Sequence, residues 1–201
     1  MIATTYKTYY EDVDLERCEV LQAAQQWTGG ATVLYPGSAM HITASFFFQH
    51  VVYVDRSAQS RQFFAHSAAI LDFITGRKRY KQAPYVRFVA QNYCTALPLR
   101  ADSFDLLLSL YAGGIAQACR AYLKPGGVLL TNNHHDDAGQ AARASGYQLV
   151  AVMDANGGVT ETGLDVYFIP RKERPHAQTR SMYPEYTHNA DYYLFRKIPA
   201  R

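Results

Sequence analysis

Cysteine is scarce in this sequence. The 201 residues hold three, Cys18, Cys94 and Cys119. They are widely spaced and odd in number, which excludes a disulfide framework and a zinc-ligand spacing; a reduced, cytoplasmic protein without a metal site is the expectation. Long apolar runs are missing too. No stretch reaches transmembrane length, and the first residues lack a basic-then-apolar export pattern, so no membrane association is expected. Charge of one sign is nearly absent as an excess. Twenty Lys and Arg oppose seventeen Asp and Glu, a formal net charge of +3. That is too little to imply nucleic acid or an anionic surface as partner. No internal repeat is present. What remains is a chain of 48% hydrophobic residues, ordinary for a globular protein and long enough for one decorated domain with a sizeable core. Its sixteen tyrosines gather at the two ends and in the β-rich runs.

The chain is organised around residues 31–57. Thr32 to Tyr35 is a short β-leaning run, broken by Pro36-Gly37-Ser38. Ile42 to Gln49 reads as a buried helix, and Val51 to Val54 as a second strand that stops at Asp55. This is one βαβ unit with a carboxylate at the tip of its second strand. The glycine in the first turn lets a ligand approach the backbone where helix amides are unpaired. An acid about twenty residues further on suits the hydroxyl pair of a ribose. The unit therefore indicates a nucleotide-type ligand.

Around this unit the pattern alternates. Residues 1–10 form a polar-aromatic arm with Tyr6, Tyr9 and Tyr10. Asp12 or Asp14 is a candidate cap for a helix carrying Val13, Cys18, Val20, Leu21, Ala24 and Trp27 on one stripe, ended by Gly29-Gly30. The arm reads either as a lid over a pocket or as a helix packed on a sheet edge. Ser57 caps a long helix from Ala58 to Ile74, closed by Gly76. Arg77, Lys78, Arg79 and Lys81 surround Tyr80 as a solvated basic surface or a phosphate contact. Tyr85 to Ala90 is a third strand, and Leu106 to Leu110 a central one. Ile115 to Leu123 reads as a helix ending at Lys124-Pro125-Gly126-Gly127, Val128 to Thr131 as a strand, Ala138 to Ala144 as a helix and Tyr147 to Met153 as a strand. Strands are also expected at Leu164 to Ile169 and Tyr192 to Lys197, with Arg171 to Asn189 irregular between them. Alternation up to residue 153 argues for a doubly wound parallel sheet, and the missing late helix for an antiparallel finish.

The order of these features resembles the class I S-adenosylmethionine-dependent methyltransferases over residues 28–155. Four local matches carry the resemblance: Val33-Leu34-Tyr35-Pro36-Gly37-Ser38-Ala39, Val52-Tyr53-Val54-Asp55, Leu97-Pro98-Leu99 followed by Ser103-Phe104-Asp105-Leu106-Leu107, and Leu123-Lys124-Pro125-Gly126-Gly127-Val128-Leu129. It implies an α/β, Rossmann-like, doubly wound and mostly parallel seven-stranded sheet with an antiparallel C-terminal edge. The chain is expected to divide into an arm and helix at 1–30, a cofactor-binding core at 31–155, and C-terminal strands with an irregular lid segment at 156–201. The implied cofactor is S-adenosyl-L-methionine. Pro36, Gly37, Ser38 and Ala39 would lie along it, Asp55 at its ribose, Asn92 and Tyr93 at its adenine, and Leu110 beneath the sulfonium, with Arg56 as a further cofactor-binding residue. The loop departs from the family pattern: Tyr35 stands at the acid position, and Ala39 and His41 replace glycines. A β-carbon at position 39 narrows the approach of a ligand to the backbone.

Methyl transfer from a sulfonium requires positioning and exclusion of water, and a weak nucleophile also needs a proton acceptor. His134 and His41 are the catalytic candidates, with His135 beside the first, because they follow strand ends where α/β sheets hold ligands. The alternatives are a polar loop in which Asp136 or Asp137 caps the next helix, and a locally bonded histidine at a helix start. Ser109-Leu110-Tyr111-Ala112 lacks the prolines of the amino-methylating DNA enzymes. The added elements are few, so the expected acceptor is a small molecule; no nucleic acid is expected, and homo-oligomerisation stays open. The competing function is a non-catalytic relative that binds a nucleoside or serves as a partner or regulatory subunit. A nicotinamide-dependent enzyme fits the loop less well. Tyr183, Tyr186, His188, Tyr192 and Tyr193 read as an acceptor lid or as a packing strap.

Overall fold

The computed structural model describes residues 2–110, 112–171 and 183–199. Among the described residues eight strands form one mixed sheet: β1 (Thr32–Pro36), β2 (His50–Val54), β3 (Tyr85–Val89), β4 (Phe104–Ser109), β5 (Leu123–Thr131), β6 (Tyr147–Met153), β7 (Val159–Thr160) and β8 (Tyr192–Lys197). Their spatial order is β3-β2-β1-β4-β5-β8-β6-β7. The pairs from β3 to β5 are parallel, and β8 is antiparallel to both β5 and β6. The expected antiparallel finish is present, but two details differ. The sheet has eight strands rather than seven, because Val159–Thr160 turns back on β6 as a two-residue ribbon. Strand β8 is also not at the rim, since it slots between β5 and β6.

Central strands are apolar on successive residues because both faces are covered. Alternate side chains leave the pleat in opposite directions. Val33, Tyr35, Val51, Tyr53, Leu106 and Leu108 enter one apolar cluster; Leu34, Val52, Val54, Leu107 and Leu129 enter the other. The first cluster is covered by α1 (Ile2–Tyr6), α2 (Cys18–Thr28), α3 (Ala44–Phe47), α4 (Ala58–Phe64) and α5 (Ser67–Thr75). The second is covered by α6 (Ile115–Ala118) and α7 (Asp137–Arg143). Between β3 and β4 the chain makes no helix, and residues 90–103 cross the sheet as a loop.

Several expectations are corrected. The arm is helical, as one of its two readings has it: α1, whose Tyr6 is fully buried against Phe46 and Phe73, continues as a wider helical turn, Lys7–Glu11. Neither Asp12 nor Asp14 caps α2, which starts at Cys18 after Arg17 adopts a left-handed conformation. Gly29 closes it at φ 60° as the sequence indicates. The helix from Ser57 breaks at Ala65-His66 into α4 and α5, which lets neighbouring Phe63 and Phe64 both be buried; Phe64 stacks on Phe88 with ring centres 4.3 Å apart. The helix after Gly114 is one turn, followed by a 3-10 turn at Arg120–Tyr122, because β5 already begins at Leu123 and pairs with Phe104. Leu164–Val166 is a 3-10 turn rather than a strand; Phe168 then reaches φ 62° and lays its ring 4.8 Å from Tyr193. Part of the irregular stretch Arg171 to Asn189 lies outside the described residues. Among the described residues no helix is long and apolar enough to cross a membrane, and no cluster of His, Cys, Asp and Glu could hold a metal ion.

Candidate functional site

The carboxyl ends of β1, β2 and β4 meet at one edge of the sheet, where α/β folds hold ligands. β1 ends at Pro36, and the chain turns sharply at Gly37, φ 64°. The Gly37 and Ser38 amides both point at the Val54 carbonyl, 2.8 and 3.4 Å away. This pins the loop to the end of β2. Ala39 follows at φ 48°, a conformation that costs a residue with a β-carbon about 1–2 kcal/mol. A nearby carboxylate offsets this. Asp55 Oδ2 accepts the Ala39 amide at 3.1 Å, and Oδ1 accepts the Ser57 amide at 2.7 Å. Asp55 thus ties the glycine loop to the start of α4, where Ser57 caps the helix by accepting the Ser60 amide at 3.1 Å. Each carboxylate oxygen keeps an acceptor position. Arg56 is exposed beside it.

Asn92 and Tyr93 come from the loop after β3. The Asn92 side-chain oxygen accepts the Cys94 amide at 3.0 Å, which shapes the turn. Tyr93 reaches inward, donates its hydroxyl to the Gly113 carbonyl at 3.0 Å, and has its pKa raised by burial. Leu110 is buried at the end of β4. Beyond it the chain folds back over β1. A β-carbon on Gly37 would stand 2.6 Å from Ala112 Cβ and 3.6 Å from the Tyr93 ring. No local pattern signals this contact, because it joins residues far apart in the chain.

His41 does not face this edge. It is 2% exposed and enclosed by the Tyr35 hydroxyl at 3.0 Å, Thr43 Oγ1 at 2.9 Å and the Glu16 carbonyl at 3.1 Å. Burial and then the Arg17 charge push its pKa down to about 3, so its imidazole is neutral at physiological pH. The N-terminal helix completes the enclosure: Tyr10 packs its ring 4.9 Å from His41 and accepts the Met40 amide at 3.1 Å. Arg77 anchors that helix through Glu11 and, at 3.3 Å, Glu16, with its guanidinium 4.4 Å from the Phe73 ring centre. Lys78 donates to the Tyr80 and Lys81 carbonyls, so the basic cluster is partly turned onto the protein itself.

His134 and His135 lie after β5 at the same edge as Gly37. His134 is exposed, with its ring 4.6 Å from that of His135. His135 packs against Gly113, where an added β-carbon would come within 2.7 Å of its own. The two acids that follow are buried. Asp136 takes a left-handed conformation and accepts Arg143 at 2.6 Å and the Tyr186 hydroxyl at 2.9 Å. Asp137 opens α7, accepts Ser109 Oγ at 2.5 Å and faces the Ala116 amide at 3.3 Å. Burial raises its pKa. Asp136 precedes α7 without capping it through its side chain. It instead fastens the tail, which pairs back through Arg171 to Glu185 and Thr187 to Ile169. Tyr186 and Tyr193 are buried, as in a strap, whereas Tyr183 is exposed, its ring 6.2 Å from His135.

No family model matches the chain, and no curated protein is similar to it in sequence. Solved structures are similar in fold. A methyltransferase from Geobacter sulfurreducens superposes with a TM-score of 0.52 at 10% identity, over 98% of this chain and 88% of that one. A protein assigned as an O-methyltransferase from Klebsiella pneumoniae gives 0.51 at 11% identity, over 92% and 80%. A protein assigned as an S-adenosyl-L-methionine-dependent methyltransferase from Methanococcus maripaludis gives 0.43 at 17% identity, over 58% of this chain and 55% of that one; the match spans little more than half of its length. The fold is the Rossmann-like fold of the class I methyltransferases.

The residues at this edge suit the nucleoside half of such a cofactor, because Asp55 presents a fixed carboxylate with acceptor positions to spare. Gly37 and Ala112 lie so close that a side chain on Gly37 would have no room beside the Ala112 methyl.

Proposed function

We propose that this protein binds S-adenosyl-L-methionine at the carboxyl edge of β1 and β2 and methylates a small-molecule acceptor. The observation that carries the reading is the Asp55 carboxylate, held at the tip of β2 by the Ala39 and Ser57 amides. Asp55 accepts the ribose hydroxyls in this reading. The Pro36-Gly37-Ser38-Ala39 backbone lines the cofactor, Arg56 flanks the ribose, Asn92 and Tyr93 border the adenine, and Leu110 closes the floor. The cofactor supplies an electrophilic methyl group. The protein's own part is to orient the acceptor and exclude water. His134 takes the acceptor's proton, since it is exposed at the edge while His41 is sealed in its own hydrogen bonds. His41 instead fixes the glycine loop from behind.

One contact favours the second reading, a non-catalytic relative that binds a nucleoside or a protein partner: Ala112 sits on Gly37. Incubation with methyl-labelled cofactor and a panel of small hydroxyl and amine acceptors separates the two. Formation of S-adenosylhomocysteine that is lost in Asp55→Asn and reduced in His134→Gln supports the enzyme. No product from a protein that binds the nucleoside supports the relative.

A further inference from the structure

Strands β2 and β3 are covered unequally. One face carries Val51, Tyr53, Val86 and Phe88 into the first apolar cluster. The other face carries Val52, Val54 and Val89 into the second cluster, and the loop of residues 90–103 brings Pro98, Leu99 and Arg100 beside it. Between that loop and the strands lies a cavity of about 210 Å³. Its floor is apolar, made by Val52 and Phe104, both buried. Its polar lining holds Thr32 and Ser103 and, as its charged and aromatic members, Arg87 from β3, Arg100 from the loop, and His50 beside Tyr85, their ring centres 4.1 Å apart.

Among the described residues no carboxylate lines this cavity. The two nearest in sequence are each paired: Asp102 with Lys197 at 2.7 Å, and Asp105 with Lys124 at 2.6 Å, while the other Asp105 oxygen accepts the hydroxyl of Thr32, a lining residue, at 2.7 Å. Among the described residues neither Arg87 nor Arg100 enters an ion pair. Arg87 is nonetheless held, since its Nη2 donates to the Pro98 carbonyl at 3.2 Å. That uses one of five guanidinium donors and leaves the rest for an oxyanion. Burial lowers the His50 pKa, which favours a neutral ring able to donate a single hydrogen bond.

We propose that this cavity binds a small organic anion, its phosphate or carboxylate group held between Arg87 and Arg100 and its short apolar body seated on Val52 and Phe104. The volume is below the usual range for cofactors and drug-sized ligands, about 300–1,000 Å³, which restricts the ligand to a small one. The site is separate from the Asp55 edge. His50 begins β2 and Asp55 follows its end, a span of roughly 16 Å along the strand. Anion binding in this cavity is therefore independent of whether a cofactor occupies that edge.

The test is an NMR titration of the isotope-labelled full chain with inorganic phosphate and, separately, with benzoate. Saturable shifts confined to His50, Tyr85, Arg87 and Arg100 are expected with at least one probe. Removing one charged hydrogen-bond donor should weaken that binding by about tenfold or more in Arg100→Gln, an exposed position, and leave it unchanged in Asp55→Asn. Phosphate alone saturating assigns a phosphoryl ligand; benzoate alone assigns a carboxylate. Shifts that fail to saturate with both probes, that scatter over the surface, or that persist unchanged in Arg100→Gln would overturn the proposal.

Discussion

Asp55 and Ala39 hold each other in place. The carboxylate accepts the Ala39 amide at 3.1 Å, and that bond stabilises a residue at φ 48°, where a β-carbon is crowded by its own backbone. Ala39→Gly removes the crowding and keeps the amide. The expected outcome is a gain of about 0.5–1 kcal/mol in stability, read from urea unfolding. A loss would mean that the methyl group contributes packing which the exposed position does not suggest.

Gly37 behaves in the opposite way. A methyl group there meets Ala112 at 2.6 Å and must also adopt φ 64°. Gly37→Ala is expected to destabilise by about 1–3 kcal/mol. Combining it with Ala112→Gly should recover part of that, a coupling of at least about 0.5 kcal/mol in a double-mutant cycle. Strict additivity would show that the two residues do not touch in solution.

His41 makes stability depend on pH. Its folded pKa, about 3, lies below the unfolded value of about 6.5, so below pH 6.5 the unfolded chain binds the proton more readily. The contribution is present in full above pH 6.5 and falls away as pH drops toward 3, by up to about 1.4 kcal/mol per unit. His41→Gln should flatten this part of the stability profile. In the native protein the His41 ring resonances should not titrate between pH 8 and 5; a midpoint inside that range would contradict its enclosure.

Arg77 joins the first helix to α5. Arg77→Ala strips Glu11 and Glu16 of their cation and removes the contact with Phe73. A loss of about 1–2 kcal/mol is expected, with faster amide exchange over residues 2–11. Unchanged exchange there would show that the helix is held by Tyr6 and its neighbours alone.

The sheet was legible where the chemistry is local. Thr32 to Tyr35, Val51 to Val54 and Tyr147 to Met153 are apolar, β-rich and bounded by turn residues, so each reads as a strand. Gly29, Ser57 and Gly76 marked helix ends by their own preferences. What was not legible depends on partners distant in the chain. The break at His66 serves the packing of Phe64 on Phe88. Leu164 to Ile169 has strand-like residues but turns aside to cover β8 with Phe168. At the candidate site, the acid after β2 could be read from position, whereas Ala112 on Gly37 and Ser109 on Asp137 are tertiary contacts without a local signature. His41 follows a loop glycine and so resembles a site residue; its burial depends on Tyr10 and Glu16, whose contacts with it have no local signature.

The most direct measurement is calorimetric titration of S-adenosylhomocysteine into the purified full chain, with Asp55→Asn as control and folding of both checked by circular dichroism. Binding that weakens at least tenfold in the variant is expected, since a charged acceptor is lost. Absence of binding by the folded wild-type protein would contradict the cofactor assignment and leave the edge at Gly37 as a closed structural feature.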